Sequence, residues 1–429
     1  MYIPRNLTAE RGETDMIIRK GAHYDVIVFG CGSAGFCAAV QAARSGARVA
    51  VVEKYSVPGG VMTVLGNNCI SQFNNPFRAE RKMIIAGIGW EFCCRLSGMG
   101  YAEIPDMDAP YTCHWQYDVK VNPVAAAVCI TDMLAEAGVD IYLDQSLAAV
   151  ETDGARVTGA VITTAQGLTE LTAQVYIDCT GDAALCSLAG AETVVGDGKG
   201  SVQPGTMRYY PFVSDPSSPE VSELVEFRGD NRNHITGYNC ADSFLKTKGD
   251  ILALRTVFDR MEELRAANAP AQIIGIAPSA GTRESRRIVG RSCMSIDDYK
   301  SGRIYEDTVC YSFWFVDVHL DAGGSRIEYL TSGATPALRY SAMVPEKLEN
   351  VLAAGRCVST DRDTNSALRV KATCMALGQA AGLAAAIAVK DGIASMAEVP
   401  PEKLRKALSA SGAIVPGLDD FRDYKASMI

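Results

Sequence analysis

The chain has 429 residues, 48% of them apolar and 39 of them glycine, which suits a two-domain α/β protein with many strand–helix turns. Its formal net charge of −9 argues against nucleic acid as the main partner, because phosphate backbones need a surplus of Lys and Arg. No run of about 18 apolar residues predicts a membrane span, and the charged first 23 residues lack a signal-peptide core, so a cytoplasmic protein without membrane insertion is expected.

The first predicted strand, Tyr24 to Phe29, turns through Gly30-Cys31-Gly32-Ser33-Ala34-Gly35 into an alanine-rich helix, and a second strand, Val49 to Val52, ends on Glu53. Gly30 allows the tight turn, Gly32 lets the backbone approach a pyrophosphate, and Gly35 lets helix and strand pack closely. The helix start, with Ser33 and Ala34, offers free N–H groups and a positive dipole end to phosphates. Glu53, 18 residues beyond Gly35, stands where an acid accepts bonds from ribose hydroxyls. This unit predicts dinucleotide binding. Gly59-Gly60 follows it, where NAD dehydrogenases carry an ordinary linker.

Residues 122–137 read as a helix capped by Asn122, with Pro123 in its first turn and Gly138 beyond its end. Val139 to Leu143 is a third parallel strand. Leu147 to Glu151, Arg156 to Thr164 and Thr169 to Val175 alternate as an antiparallel set, with turns at Asp153-Gly154 and Gln166-Gly167. Residues 175–190 form a buried strand ending in Thr180-Gly181-Asp182, and glycine-rich 196–205 marks a domain boundary. Thr206 to Val213 reads as a strand. The 250–267 segment reads as an amphipathic helix stopped by Asn268 and Pro270, with Ile251, Leu252, Leu254, Val257, Phe258, Met261 and Leu264 on one stripe. A strand over 309–318 follows, then a strand at 350–354, Gly355-Arg356, a long helix of small residues, and a closing helix at 400–409.

The fold class expected is α/β: a Rossmann-like dinucleotide-binding domain with a small antiparallel β insertion, plus an α+β substrate domain. The division is a 1–23 extension, a dinucleotide-binding domain from 24–205 and 335–395, a substrate domain from 206–334, and a helical tail from 396–429.

The 14 cysteines contain no CxxC, which removes a redox disulfide of that type and the usual iron–sulfur and zinc spacings, so no metal is expected. Cys31, Cys37, Cys129, Cys179, Cys186 and Cys374 fall inside strands or helices, where free Cys is a small buried hydrophobe. Four histidines occur, His23, His114, His234 and His319. Asp317 and His319 lie two apart on a predicted strand and so share a face, where a carboxylate can orient an imidazole base. A satisfied half-buried histidine is the alternative. Arg283, Arg286 and Arg287 cluster with Glu284 in GTRESRR; arginine forks bind carboxylates or hydroxylated substrates, or else tie a structural ion pair. No second GxGxxG follows, so a separate NAD(P)H domain is not expected.

Taken together, the GxGxxG with Glu53, Gly59-Gly60, the CTGDA turn, GTRESRR, and the GRCxS…RV…CMALGQAAG tail resemble the FAD-dependent oxidoreductases allied to succinate dehydrogenase and fumarate reductase flavoproteins, with a glutathione-reductase-like FAD domain. The resemblance covers about residues 24–412. It implies FAD contacts from Gly30, Gly32, Ser33, Ala34, Gly35, Glu53, Lys54, Gly60, Val61, Met62, Ala148, Thr180, Gly181, Asp182, Gly355, Arg356, Arg362, Ala367 and Leu368. It also implies that the helix after residue 367 aims its N-terminus at the isoalloxazine. His319, Asp317, Arg283 and Arg287 are the implied catalytic residues. The fumarate-reductase branch often attaches FAD through a histidine after the double glycine. Val61-Met62-Thr63-Val64 has none, so FAD is expected to be noncovalent. Arg362 stands where many relatives carry histidine, which puts proton transfer there in doubt. Arg339-Tyr340-Ser341 replaces a Pro-Tyr-Arg triplet, so that arginine role is missing or moved to Arg339. The function expected is hydride transfer between flavin N5 and a small polar molecule. The alternatives are ene reduction with an arginine proton donor and a flavin subunit that relays electrons within a complex. A homo-oligomer or a redox partner is compatible with either.

Overall fold

The computed structural model describes residues 17–77, 82–113, 115–213, 223–226, 239–267, 271–320, 324–330, 333–419 and 421–423. His114 and His234 lie outside them, as do Asn268 and Pro270.

A seven-stranded sheet organises the chain. Asp140–Tyr142, Val49–Val52, Ile18–Phe29, Gly167–Asp178 and Val351–Ala353 lie side by side, all parallel. Val26, Val28, Val49 and Val51 are buried in one core and Ile27, Phe29, Ala50 and Val52 in another, as a sheet covered on both faces requires. The strand Gly167–Asp178 is shared. Its first half pairs antiparallel with Arg156–Thr164, and its second half pairs parallel with Val351–Ala353. The last strand of the expected hairpin set and the expected buried strand are therefore one continuous 12-residue element. The α/β class and the antiparallel insertion are borne out. The first strand starts earlier than expected, at Ile18, with a register shift between Lys20 and His23.

Two helices cover one face. Ser33–Arg44 follows the glycine turn, and Lys371–Asp391 crosses it. The latter is long and apolar enough to cross a membrane, but 89% of its apolar window is buried inside the protein. The helix Pro123–Glu136 forms as expected, with Asn122 Oδ1 accepting from the N–H groups of Val124 and Ala125 at 3.0 and 3.1 Å.

Two expectations need correction. The helix Ser243–Ala266 buries only Gly249, Ala253 and Val257, while Leu254, Phe258 and Met261 of the expected stripe are exposed. Its buried positions fall on a narrow line of small residues at four-residue spacing, offset from the expected stripe; the three-stranded sheet Glu223–Glu226, Thr206–Val213, Ala271–Ile276 lies beside it. The predicted strand 309–318 is two strands. Thr308–Tyr311 pairs with Ala337–Arg339, and Val316–His319 pairs with Ser325–Glu328. Between them the Ser312 N–H still goes to the Pro336 carbonyl, in register with the first pair, but the Trp314 N–H goes to the Tyr299 hydroxyl, which breaks the ladder.

Candidate functional site

The glycine turn is built as its sequence demands. Gly30 has φ +90°, and a methyl group on it would stand 2.5 Å from the Cys179 carbonyl oxygen. On Gly35 a methyl would stand 1.7 Å from the Gly30 carbonyl oxygen. On Gly32 it would meet nothing within 4 Å, so space lies open in front of the helix. That helix has Gly32 as N-cap, no side-chain cap bond and no acid in its first turn, which leaves its positive end for an anion. Gly59 donates to the Cys31 carbonyl at 2.7 Å, and Gly60 packs its backbone against Gly32. The two glycine motifs are thus one structure, with Val61 partly exposed and Met62 buried beside them.

Glu53 is buried at the end of its strand, with Lys54 exposed after it. Glu53 Oε2 accepts from Cys31 N–H at 2.7 Å, and Oε1 accepts from Tyr55 N–H at 3.1 Å. Burial pushes its carboxyl above the ordinary range against the pull of these two bonds. The acid therefore also ties the glycine turn to the strand end, a role that spacing alone did not reveal.

The CTGDA turn closes the opposite side. Asp178, fully buried, accepts from Thr180 N–H, Thr180 Oγ1 and Cys186 N–H at 2.7–3.0 Å. Gly181 and Ala183 then adopt left-handed backbone, φ +73° and +49°. Asp182 pairs with Arg356 at 2.6 Å and accepts from Ser285 Oγ at 2.7 Å. Desolvation opposes the Asp182 charge, but Arg356 and Lys54, with Ser285 and Arg286, hold the carboxyl below its ordinary range. Arg356 also donates to the Thr282 carbonyl at 2.7 Å. Gly355, with φ +90°, puts its backbone against Ala34. Ala367 and Leu368 are buried at the end of the helix Arg362–Leu368, and Ala148 lies at a bulge in the strand Leu147–Asp153.

Open space before an uncapped helix, a glycine-floored approach and a buried acid at the strand end fit a dinucleotide cofactor with its pyrophosphate at Gly32–Ser33.

A second polar cluster gathers three of the four expected catalytic residues, Asp317, His319 and Arg283. Asp317 Oδ1 lies 3.3 Å from His319 Nε2, and Asp317 Oδ2 lies 3.6 Å from Arg369 Nη2. Burial works against the Asp317 charge, but the His319 bond, Arg369 and Arg283 hold its carboxyl below the usual range. His319 Nδ1 lies 3.1 Å from Ser325 Oγ, and its backbone N–H donates to Gln203 Oε1 at 3.1 Å. Arg283 donates to the Pro204 carbonyl at 3.0 Å. Arg369, of the RV pair in the tail motif, is the addition the fold makes. Burial and Arg283 lower it to about 10 against the upward pull of Asp317.

Arg287 is placed differently. It is 3% exposed and donates to the Thr360 carbonyl, Glu284 and the Gly196 carbonyl at 2.7–3.1 Å. These bonds make it a structural bridge on a strand, Arg286–Ile288, that pairs with Thr193–Val195. Glu284 also accepts from Arg362 Nε at 3.2 Å. Arg339 is committed to Asp307 at 2.8 Å and lies over the Tyr305 ring. His23 is exposed, with Nδ1 2.9 Å from Thr172 Oγ1. All 14 cysteines are free thiols.

Fold and glycine-floored site together define a dinucleotide-binding protein. The chain matches the FAD dependent oxidoreductase family over residues 25–250 and 228–408, and it belongs to that family: it is an FAD-dependent oxidoreductase with FAD as its cofactor. It is also similar to the soluble pyridine nucleotide transhydrogenase of Marinomonas sp. (strain MWYL1), with 57% identity over 44 residues, a stretch that spans 10% of either chain. Among solved structures it is similar to a geranylgeranyl bacteriochlorophyll reductase-like protein from Thermoplasma acidophilum, with 13% identity, 91% of this chain and 84% of that one covered, and a TM-score of 0.45. The flavin-dependent brominase Bmp2 gives 14% identity, 90% and 84% coverage, and a TM-score of 0.45.

Proposed function

We propose that this enzyme transfers a hydride between flavin N5 and a small polar molecule held by Arg283 and Arg369, with Asp317 and His319 managing the accompanying proton. The observation that carries this is Asp317, placed 3.3 Å from an imidazole nitrogen and 3.6 Å from a guanidinium nitrogen. Bound FAD supplies the two-electron acceptor or donor; the rest is the chain's own. The guanidinium groups of Arg283 and Arg369 both act on the Asp317 carboxylate here, so the corner suits a molecule with hydroxyl or carboxylate oxygens. Asp317 orients His319 through Nε2, while Ser325, exposed at Nδ1, connects the ring to solvent. The cluster joins residues from the 206–334 segment to Arg369 of the returning 335–395 segment, in keeping with a substrate domain closing on a discontinuous FAD domain.

A second reading has a specific observation behind it. Ser325, His319, Asp317 and Arg369 follow one another at 3.1, 3.3 and 3.6 Å from an exposed hydroxyl to a half-buried guanidinium. Arg369, lowered to about 10, is a stronger acid than an ordinary arginine. That favours the fumarate- or urocanate-reductase-like reading, in which an arginine protonates a reduced double bond. Anaerobic mixing of the oxidised enzyme with hydroxylated and amino compounds, and of the reduced enzyme with unsaturated acids, tests both. Reoxidation by an unsaturated acid selects the ene reductase. Reduction by a hydroxyl or amino compound selects the first reading, and no exchange with any of them overturns both.

A further inference from the structure

The helix Lys371–Asp391 begins inside the protein without a side-chain cap. Ala372 in its first turn donates to the Ser71 carbonyl at 3.0 Å. Lys371, 9% exposed, brings an ammonium to the same end and donates to the Cys69 carbonyl at 2.7 Å. A buried cation at the positive end of a 21-residue dipole calls for an anion.

Asp118 answers that call in part. Cys69–Ile70 pairs antiparallel with Val119–Lys120, which brings residue 118 opposite residue 71. Asp118 is 9% exposed, and its Oδ1 has no hydrogen-bond partner. Around it stand the Ser71 hydroxyl, Lys371 and Lys120, the last leaning toward Glu103 at 4.0 Å. Desolvation lifts the Asp118 carboxyl to about 6, against the pull of Ser71 and the two lysines. An unpartnered oxygen, held beside a lysine at a helix end, can gain or release a proton without breaking a hydrogen bond.

We propose that Asp118 and Lys371 form a charge-balancing pair for the bound flavin, with Asp118 taking up a solvent proton whenever negative charge arrives at the start of this helix. The proposal rests on FAD binding with its isoalloxazine at that helix end. A hydride delivers two electrons and one proton and leaves one added negative charge on the ring. The new charge raises the proton affinity of its carboxylate neighbour, so the second proton comes from water and resides on Asp118 Oδ1. Reoxidation returns hydride and proton separately.

The test is potentiometric titration of the FAD-loaded protein between pH 5 and 8, with no substrate present. Wild type is expected to take up two protons per two electrons above pH 6, and Asp118→Asn one. Lys371→Gln should lower the midpoint potential at every pH. Equal proton numbers in wild type and Asp118→Asn overturn the proposal. If Asp118→Asn does not hold FAD, carbon-detected NMR of Asp118 in wild type decides the matter: a carboxyl that titrates at a higher pH when the flavin is reduced supports the pair, and an unchanged titration overturns it. Because no substrate enters, failure here is separate from failure of the hydride-transfer reading.

Discussion

Gly378 lies so close to Ala34 that a methyl group on it would stand 2.0 Å from the Ala34 carbonyl oxygen. One turn later Gly382 repeats the relationship with Ala38, at 2.1 Å. The long helix therefore seats directly on the helix that starts at the glycine turn, and the cofactor turn inherits its position from that contact. Gly378→Ala should lose roughly 1–3 kcal/mol to overpacking and should release FAD more readily, because Ala34 must move. Thermal melting and flavin content check this together. Gly98→Ala is the comparison, since a methyl there meets nothing within 4 Å, and it should be neutral or stabilising by up to about 1 kcal/mol. Equal losses in both variants would contradict the contact.

Glu53→Gln keeps the shape of the acid and removes its charge. Charge-assisted bonds contribute roughly 1.5–3 kcal/mol, so FAD affinity should fall by about ten- to a hundredfold. Fluorescence titration of the apoprotein measures it, and an unchanged dissociation constant would place the cofactor's acid elsewhere. Acid precipitation of wild type should leave the flavin in solution, as expected of noncovalent FAD.

His319→Asn should slow flavin reduction by about 10²–10⁴-fold, the contribution of a positioned acid or base. One ionisation should vanish from the pH–rate profile while flavin content and melting temperature hold. A variant that melts early yet reduces flavin at the parental rate would make His319 structural and leave the proton to Arg369.

Arg283→Lys and Arg369→Lys keep the charge but lose the fork. Both should raise KM more than they lower kcat if the arginines only bind substrate. A kcat loss confined to Arg369→Lys, with an altered alkaline limb, would instead favour the ene-reductase reading.

Asp118 also predicts a pH dependence of stability. Its folded carboxyl, near 6, lies above the unfolded value of about 3.9. Below pH 4 both states are protonated and the group contributes nothing. As pH rises from 4 to 6 the unfolded chain ionises first, so stability is lost, reaching about 3 kcal/mol above pH 6. Asp118→Asn should therefore match wild type at pH 4 and melt higher at pH 8. A melting difference that stays constant across this range would count against the buried, raised carboxyl.

Much of this architecture was legible in the chain. The cofactor turn is local: Gly30, Gly32 and Gly35 act through backbone conformation and close approach, and strand, turn, helix and Glu53 follow one another within 30 residues. The Asn122 cap and the Asp317–His319 face are equally local, one set by a side chain reaching its own helix, the other by the two-residue strand period. The tertiary structure decided what depends on distant segments. It assigned Arg287 to a bridge through Thr360 and Gly196, split the 309–318 strand by bonding Trp314 to Tyr299, and left Leu254, Phe258 and Met261 of the 250–267 stripe exposed. It also brought Arg369 to Asp317 and Asp118 to Lys371, across 52 and 253 residues of sequence. Periodicity and spacing report which face a side chain takes on its own element, whereas burial, desolvation and charge pairing depend on which other element arrives opposite it.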